Sequence, residues 1–253
     1  YLAHNSWRAE YCLVNPHCDA VFTINTTLPS YVFRGKSLPS IDLNEKLNFQ
    51  LLFPVNDEQY TSTRKSLWKI IRENVENGSI DEVFDVRNDN FLNSNKITGT
   101  EKIKDFYGSK YTPGDSRPQT YATSFDITGY KIKGVWYFDK KHSEMKYRLL
   151  GIQPVGKNLK EFGKEQGYFW IWYPSIRDVL SNHMVFNDKN NNNRISFDQL
   201  LISRRFSSYI YKEDNLYGDR PISTYKLQGL EAILESQRIK KEILDFEQDL
   251  WNR

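Results

Sequence analysis

One run of residues has the composition and spacing of a metal-binding loop. In DKNNNNRISFDQ at 188–199, oxygen-bearing side chains stand at positions one, three and five, with Ile at eight and Ser at nine, as in an EF-hand calcium loop. Two departures weigh against calcium, since Asn193 replaces the usual glycine and Gln199 lacks the bidentate carboxylate of position twelve. We favour a solvated asparagine tract before a capped helix, predict no cofactor, and keep a calcium- or ligand-binding module as the alternative. Its candidate ligands are Asp188, Asn190, Asn192, Arg194 and Gln199.

The two cysteines are the other group that could do chemistry. Cys12 and Cys18 lie near His4 and His17 in a segment without helical periodicity. A Cys12–Cys18 disulfide would close a small loop, would require an oxidising compartment, and would contribute about 2 kcal/mol on a chain-entropy estimate. Zinc held by these four side chains has suitable ligand types, although adjacent His17 and Cys18 rarely share one metal ion. Two unconnected thiols are the third interpretation, and we predict the disulfide.

No active-site pattern of an enzyme accompanies these residues. The sequence contains no G-x-S-x-G, P-loop, G-x-G-x-x-G or H-E-x-x-H motif. His142 and Glu144 have side chains suited to acid–base chemistry, but a position in a turn favours a solvated role. The small basic cluster of Arg204, Arg205 and Lys212 is more typical of structural ion pairs than of a phosphate site. We predict that the protein is not an enzyme.

Bulk composition narrows the class further. The chain has 253 residues, with 35 Lys+Arg against 32 Asp+Glu, and this balance gives no broad positive field for nucleic acid. Aromatic residues make up 15 % of the chain and the mean hydropathy is −0.67, which indicates an aromatic core under a polar surface. No apolar run approaches the roughly 20 residues of a membrane helix, so we expect a soluble chain. A removed signal peptide would explain a start at Tyr1, and so would a boundary within a longer chain.

The element that organises the rest is a predicted β-hairpin over residues 130–152. Apolar and polar residues alternate along both strands, which is the signature of half-buried strands. The apolar face carries Tyr130, Ile132, Trp136, Phe138, Met145, Tyr147 and Leu149, and the wet face carries Lys131, Lys133, Asp139, Lys146 and Arg148. Two strands alone are marginal in water, so other elements must cover this hairpin.

Four further strands and three helices are predicted to cover the hairpin. The run 168–173 is apolar without alternation, which predicts a strand buried on both faces at the centre of a sheet. Other strands are predicted at 48–53, 80–86 and 208–212. Predicted helices begin at a Thr63 cap and at the capping boxes Ser175-x-x-Asp178 and Ser196-x-x-Gln199, and Asn77-Gly78 ends the first of them.

The remaining segments complete an α+β fold. We predict a mainly antiparallel sheet around the 130–152 hairpin and the 168–173 strand, flanked by helices, as one domain over 41–253. Residues 1–40 form an extended N-terminal arm, and 87–126 form a polar surface excursion with a short helix at 101–107. A strand–helix–strand echo between 47–91 and 168–217 is compatible with an internal duplication, and with shared propensity alone.

The C-terminal segment is predicted to be one long helix that starts at Ser223 or Thr224 and runs to the chain end. Its predicted apolar face carries Leu227, Leu230, Leu234, Ile243, Phe246, Leu250 and Trp251.

Long ungapped blocks of this sequence resemble the GldN/PorN family, components of the type IX secretion and gliding machinery. The resemblance is strongest over GVWYFDKKHSEMKYRLLGI at 134–152 and continues through the aromatic strand to Tyr173-Pro174. Further matching blocks are RDVL (177–180), FN (186–187), ISFD (195–198), SRRF (203–206), IYKEDN-x-YGDR (210–220), LES-x-RIK (234–240) and DFE-x-D-x-W (245–251). A weaker likeness reaches back to about Ile41, whereas residues 1–40 and 190–193 depart from the family pattern.

The resemblance implies a periplasmic, non-catalytic protein. Family members assemble with a GldK/PorK-like outer-membrane lipoprotein into a ring that serves secretion and motility, and they meet the periplasmic part of a GldM/PorM-like motor protein. We therefore expect a ring scaffold subunit that binds copies of itself and both partners, attached to the outer membrane through the lipoprotein. No catalytic residue is transferred, and the implied periplasmic location favours the Cys12–Cys18 disulfide.

A ring subunit needs two different faces that fit each other head to tail. The long C-terminal helix and the 87–126 excursion are the predicted surfaces. The arm is predicted to lay a strand or hook against a partner, because extended segments pair readily with sheet edges.

Overall fold

An antiparallel sheet organises the fold. The computed structural model describes residues 31–55, 65–87, 91–109, 119–139, 142, 144–161, 164–185, 195–213, 220–226 and 229–251. Within these ranges the strands are β1 (Tyr31–Asp42), β2 (Val83–Phe84), β3 (Ile127–Asp139), β4 (Glu144–Lys157), β5 (Glu165–Gly167), β6 (Trp170–Trp172) and β7 (Tyr209–Glu213). They run in the order β2-β6-β4-β3-β1-β7, and β5 pairs with β4. The predicted α+β class is confirmed.

Helices supply the second layer of the fold. They are α1 (Phe49–Leu52), α2 (Leu67–Glu76), α3 (Thr100–Tyr107), α4 (Tyr173–Ser181), α5 (Phe197–Ile202), α6 (Ile222–Tyr225) and α7 (Gly229–Trp251). Short 3-10 turns stand at Lys46–Asn48, Asn93–Asn95 and Ser124–Asp126.

The predicted hairpin is confirmed as β3 and β4, the longest pairing in the sheet. The register runs from Asp139 opposite Glu144 at the turn to Ile127 opposite Gly156. The pairing shifts between Lys133 and Gly134, where the structure has a bulge. A bulge of this kind bends the strand and strengthens its twist, which suits a long hairpin at the middle of a twisted sheet.

The sheet is buried on both faces, and β6 shows this most directly. Ile171 joins the larger core cluster, whereas Trp170 and Trp172 join a second cluster on the opposite face. The prediction of a strand covered on both sides is therefore confirmed. Its predicted place at the centre is wrong, because β6 lies between β2 and β4, and β4 and β3 occupy the middle.

Helices α2 to α5 cover the first face. Their buried side chains are Leu67, Trp68, Ile70, Ile71, Val75, Ile103, Tyr107, Tyr173, Ile176, Leu180, Phe197, Leu200 and Leu201. They pack on Ile41, Tyr130, Ile132, Leu149 and Ile152 of the sheet. The three- and four-residue spacing along each helix is what presents these side chains together.

The second face is only in part the wet face that alternation predicted. Arg148 is exposed as predicted, whereas Lys133 and Asp139 are only 6 % and 4 % exposed. Phe91 packs over this side of the sheet, and the Lys133 ammonium stands 5.4 Å from the centre of its ring. A lysine stem can be buried in this way when its charged end meets an aromatic face.

The predicted strand at 48–53 is wrong, because the chain turns there instead. The Asn48 side chain is buried, donates to the carbonyls of Asp42 (2.6 Å) and Ser207 (3.0 Å), and accepts from the Ser207 N–H (2.8 Å). These bonds hold a 3-10 turn that leads into α1 and leave Leu47 66 % exposed. The segment therefore differs in conformation from the aromatic strand with which the echo paired it. The strand predicted at 80–86 is confirmed only as Val83–Phe84.

The first predicted helix exists, with a different start. Ser66 caps α2 by accepting from the Lys69 N–H at 3.1 Å, so Thr63, outside the described residues, is not its cap. Asn77 and Gly78 end it as predicted, and Gly78 has a φ of 74°. That left-handed conformation is the one glycine adopts at no steric cost.

The two predicted capping boxes have opposite outcomes. In α5, Ser196 Oγ accepts from the Gln199 N–H and Gln199 Oε1 accepts from the Ser196 N–H, both at 3.2 Å, as predicted. The Ser175 box is wrong, because α4 already begins at Tyr173 with Pro174 in its first turn. Proline in that position needs no N–H partner and has a helical φ, so it starts the helix early.

The outer segments are more tightly integrated than predicted. Strand β1 begins at Tyr31, inside the predicted arm, and pairs with β3 and β7, while residues 1–30 lie outside the described part. The helix predicted at 101–107 is confirmed as α3. The excursion around it is anchored rather than superficial, since buried side chains from 91 to 124 reach the core: Phe91, Ile103, Tyr107, Ala122 and Ser124.

Candidate interaction surfaces

Most of the residues predicted to bind calcium or to form a disulfide lie outside the described part of the chain. Asp188, Asn190, Asn192 and Arg194 of the calcium hypothesis lie outside the described residues, as do Cys12 and Cys18, whose pairing stays a prediction. Gln199 is described, and its side-chain oxygen is engaged in the capping box of α5. Within the described ranges, no three His, Cys, Asp or Glu side chains lie close enough together to hold a metal ion.

His142 contacts an aspartate on β3. Its Nδ1 is 2.7 Å from Asp139 Oδ2, and Lys146 donates to the same oxygen at 2.9 Å. The His142 side chain is 58 % exposed, so its predicted place in a solvated turn is confirmed. The side chain of Glu144 is outside the described residues. The contact between His142 and Asp139 was not predicted from the sequence. The spacing of three residues between an acidic residue and a histidine was the sequence signal that could have indicated it.

The basic cluster contains an aromatic stack that the sequence did not reveal. The Arg204 guanidinium lies 4.5 Å from the ring centre of Trp136 and 5.0 Å from that of Tyr147. The two rings are themselves 5.1 Å apart across the hairpin. Arg204 has a φ of 53°, rare outside glycine, at the turn that ends α5. Among the described residues its role is therefore a cation–π contact between α5 and the hairpin, rather than the predicted ion pair.

A buried polar network joins α4 to α5. Tyr173 donates to Asp198 Oδ1 at 2.8 Å, and the Arg177 guanidinium meets both carboxylate oxygens at 3.1 and 3.3 Å. Burial, followed by the hydrogen bond to Asp198, raises the pKa of Tyr173 above its usual range. Each polar group of this network has a partner, so it acts as a fixed brace between the two helices.

Helix α7 is anchored to the sheet through one side and carries exposed apolar residues on another. Among its described side chains, Ser236, Ile239 and Ile243 are buried. Ser236 Oγ accepts from the Ile210 N–H of β7 at 2.8 Å, and the Lys240 ammonium meets the Ser208 carbonyl. The helix thereby satisfies backbone groups at the β7 edge of the sheet, which would otherwise be open to pairing with another chain.

The predicted apolar face of this helix is wrong in part. Residues 222–225 form the separate helix α6, and α7 starts only at Gly229. Leu230 and Leu234 are 69 % and 55 % exposed, and Ile233 between them is 54 % exposed. These three residues, the α7 stripe, share one helix face by their spacing. Ile243 is buried as predicted, while the side chains of Leu227, Leu250 and Trp251 are outside the described residues.

A family profile described as "Gliding motility associated protein GldN" matches residues 30–252. The chain belongs to the GldN family. The match begins one residue before β1 and extends through α7, so it covers both the sheet and the helices described above. A search among curated proteins found no match. The resemblance found in the sequence is thus confirmed, and with it the assignment to gliding motility.

This GldN-family chain has a second exposed apolar group next to α1. Leu47 is 66 % exposed, and Phe49 and Phe53, each 38 % exposed, meet edge to face at 5.7 Å. Phe125 is 68 % exposed, with the Lys157 ammonium 4.3 Å above its ring.

In the part of this GldN-family protein that the structure describes, no helix is both long and apolar enough to cross a membrane.

Proposed function

We propose that this GldN-family protein is a non-catalytic scaffold subunit of the type IX secretion and gliding machinery. In this proposal it assembles with copies of itself and a GldK/PorK-like outer-membrane lipoprotein into a ring in the periplasm. It links that ring to the periplasmic part of a GldM/PorM-like motor protein. Family membership over residues 30–252 supports the proposal, and residues 41–253 are taken as one domain.

The observation that carries the proposal is the α7 stripe. Leu230, Ile233 and Leu234 are each more than half exposed. The same helix is anchored further along by Ile239 and Ile243, which pack in a core cluster with β7 and α6. A contiguous apolar group on an anchored helix is costly to leave in water, and such groups mark protein–protein contacts.

Co-expression with the lipoprotein tests the assembly directly. Size-exclusion chromatography with light scattering should give a stable heteromeric complex, and negative-stain microscopy should show rings. A clean monomer that ignores the lipoprotein would overturn the scaffold proposal.

The contribution of α7 is best tested at its surface. Truncation after Gly229 would also remove Ile239 and Ile243 from the core, so its outcome would mix folding with assembly. The double variant Leu230→Ser/Leu234→Ser should lower complex yield while the melting temperature stays close to wild type. Ile202→Ser, at another exposed apolar residue, is the matched control. An unaffected ring would remove α7 from the proposal.

The N-terminal segment belongs to the same proposal as a partner-binding arm. Because β1 begins at Tyr31, the deletion should stop at residue 30 to leave the sheet intact. A variant lacking residues 1–30 should co-purify less with the lipoprotein. Normal co-purification would show that the arm is not needed for that contact, and mass spectrometry under non-reducing conditions would test the Cys12–Cys18 disulfide.

A further inference from the structure

A polar groove lies where the ends of several strands meet. It has a volume of about 390 Å³ and is lined by residues from β1, β3, β4, β5 and β7. Its polar lining includes Ser40, Asp42, Thr128, Lys131, Glu165 and Tyr209. The volume is within the usual range for sites that take small ligands.

A buried amide beside Gly167 of this groove has no acceptor among the described residues. Gln153 is 3 % exposed, and its Nε2 has no hydrogen-bond partner among the described residues. Its amide lies against Gly167 of the groove, since a β-carbon there would stand 2.6 Å from Gln153 Nε2. Lys131, which also lines the groove, is the cross-strand partner of Gln153. Buried amide donors in folded proteins nearly always have a partner, so this one calls for an explanation.

Lys131 is a second donor without an anionic partner. Its ammonium stands 5.0 Å from the ring centre of Tyr211, and within the described ranges no carboxylate pairs with it. Burial lowers the pKa of Lys131, and no neighbouring carboxylate opposes that shift. A half-buried cation in this position gains from any anion that enters the groove.

We propose that this groove binds a carboxylate group, with Lys131 supplying the positive charge and Gln153 Nε2 the second hydrogen bond. A carboxylate is planar and offers two acceptor oxygens, which matches two neighbouring donors. Glu165 and Asp42 also line the groove, and their negative charge disfavours polyanions. The ligand class is therefore a monocarboxylate, either a free small molecule or the C-terminus of a polypeptide. This inference is independent of the proposed ring.

The side-chain NH₂ signal of Gln153 in an NMR spectrum of the full chain is the readout. Titration with acetate should shift it saturably in the millimolar range, whereas the neutral isostere acetamide should not. Phosphate should bind more weakly than acetate because of Glu165 and Asp42. N-acetyl-triglycine with a free C-terminus distinguishes the sources: tighter binding than acetate assigns a polypeptide terminus, and equal or weaker binding assigns a small molecule.

Substitutions assign the donors. Lys131→Met keeps the aliphatic stem and should weaken acetate binding roughly tenfold or more, because a charge-assisted hydrogen bond is lost. Lys102→Met, at an exposed lysine of α3, changes the net charge equally and should leave binding intact. Gln153→Leu should weaken binding without lowering the melting temperature of the ligand-free protein, since the unpaired amide is removed. If acetate causes no saturable shift of the Gln153 signal in the wild type, or the same shift in Lys131→Met, the proposed site is wrong. A bound water molecule would then be the acceptor for Gln153 Nε2.

Discussion

The ring of Phe91 lies directly on Gly151, so that a β-carbon at residue 151 would stand 2.2 Å from Phe91 Cζ. Phe91 also meets the rings of Trp172 at 4.9 Å and Phe84 at 5.3 Å. A single side chain from the polar 87–126 segment therefore packs at the middle of the second face of the sheet. This contact explains both the burial of Lys133 and the anchoring of the excursion.

Phe91→Ala should lower the free energy of unfolding by about 3–5 kcal/mol, because it removes a fully packed ring and leaves a cavity. Urea denaturation followed by tryptophan fluorescence measures the change. Leu92→Ala, at the more exposed neighbour, should change the same quantity by no more than about 1 kcal/mol. Equal effects at both positions would contradict the packing described here.

Gly151→Ala should destabilise the wild type, because the new methyl group overlaps the Phe91 ring. The same substitution should cost less in a Phe91→Ala background, with a coupling of about 0.5–3 kcal/mol in the double-mutant cycle. Some cost should remain, since the Ile171 carbonyl is 3.1 Å from the added carbon. Additive effects would show that Phe91 and residue 151 do not contact each other.

Asp198→Ala should cost about 2–4 kcal/mol of unfolding free energy, because it leaves the buried Tyr173 hydroxyl without an acceptor. Asp178→Ala, at an exposed carboxylate on α4, is the control and should have little effect. Arg177→Ala should cost less than Asp198→Ala, because the Arg177 side chain is 52 % exposed. The reverse ranking would contradict a brace centred on Asp198.

Stability should fall as the pH rises above about 10, where unfolded tyrosines ionise. Burial, as the main cause, raises the pKa values of Tyr107, Tyr168 and Tyr173, so these phenols stay protonated in the folded state. The unfolded state then binds fewer protons, and each tyrosine lowers stability by about 1.4 kcal/mol per pH unit. Lys131, whose folded pKa is lowered, acts in the opposite direction only up to its ordinary value of 10.5.

Tyr173→Phe tests that pH dependence. The slope of unfolding free energy against pH above 10 should become shallower by about 1.4 kcal/mol per pH unit. An identical slope in wild type and Tyr173→Phe would show that Tyr173 ionises in the folded protein.

Ile239→Ala should cost about 2–5 kcal/mol, because it empties a buried position between α7 and β7. Leu234→Ala on the same helix should stay within about 0.5 kcal/mol for the isolated protein, because its side chain is exposed. Thermal unfolding by circular dichroism separates the two. A large loss in Leu234→Ala would mean that the α7 stripe is part of the core rather than a free surface.

The sequence by itself determined the elements whose signals are local. Alternation fixed the 130–152 hairpin, the three- and four-residue spacing predicted α2, and the Ser196 capping box predicted the start of α5. These features depend on side chains a few residues apart, so a linear pattern contains them. The α+β class and the family resemblance also came from the sequence alone.

Tertiary structure decided which faces are covered. The chain turns at Asn48 because the Asn48 side chain bonds the backbone of Ser207. Ser207 lies 159 residues away, so no local sequence pattern contains that bond. Lys133 is buried because Phe91 packs over it, and Arg204 stacks on Trp136 of the hairpin; both contacts join residues far apart in the sequence. On α7, periodicity finds apolar residues on more than one side, and only the contact with β7 selects Ile239 over Leu234. Periodicity says which residues share a face, whereas burial is set by whichever distant element gains most free energy by covering it.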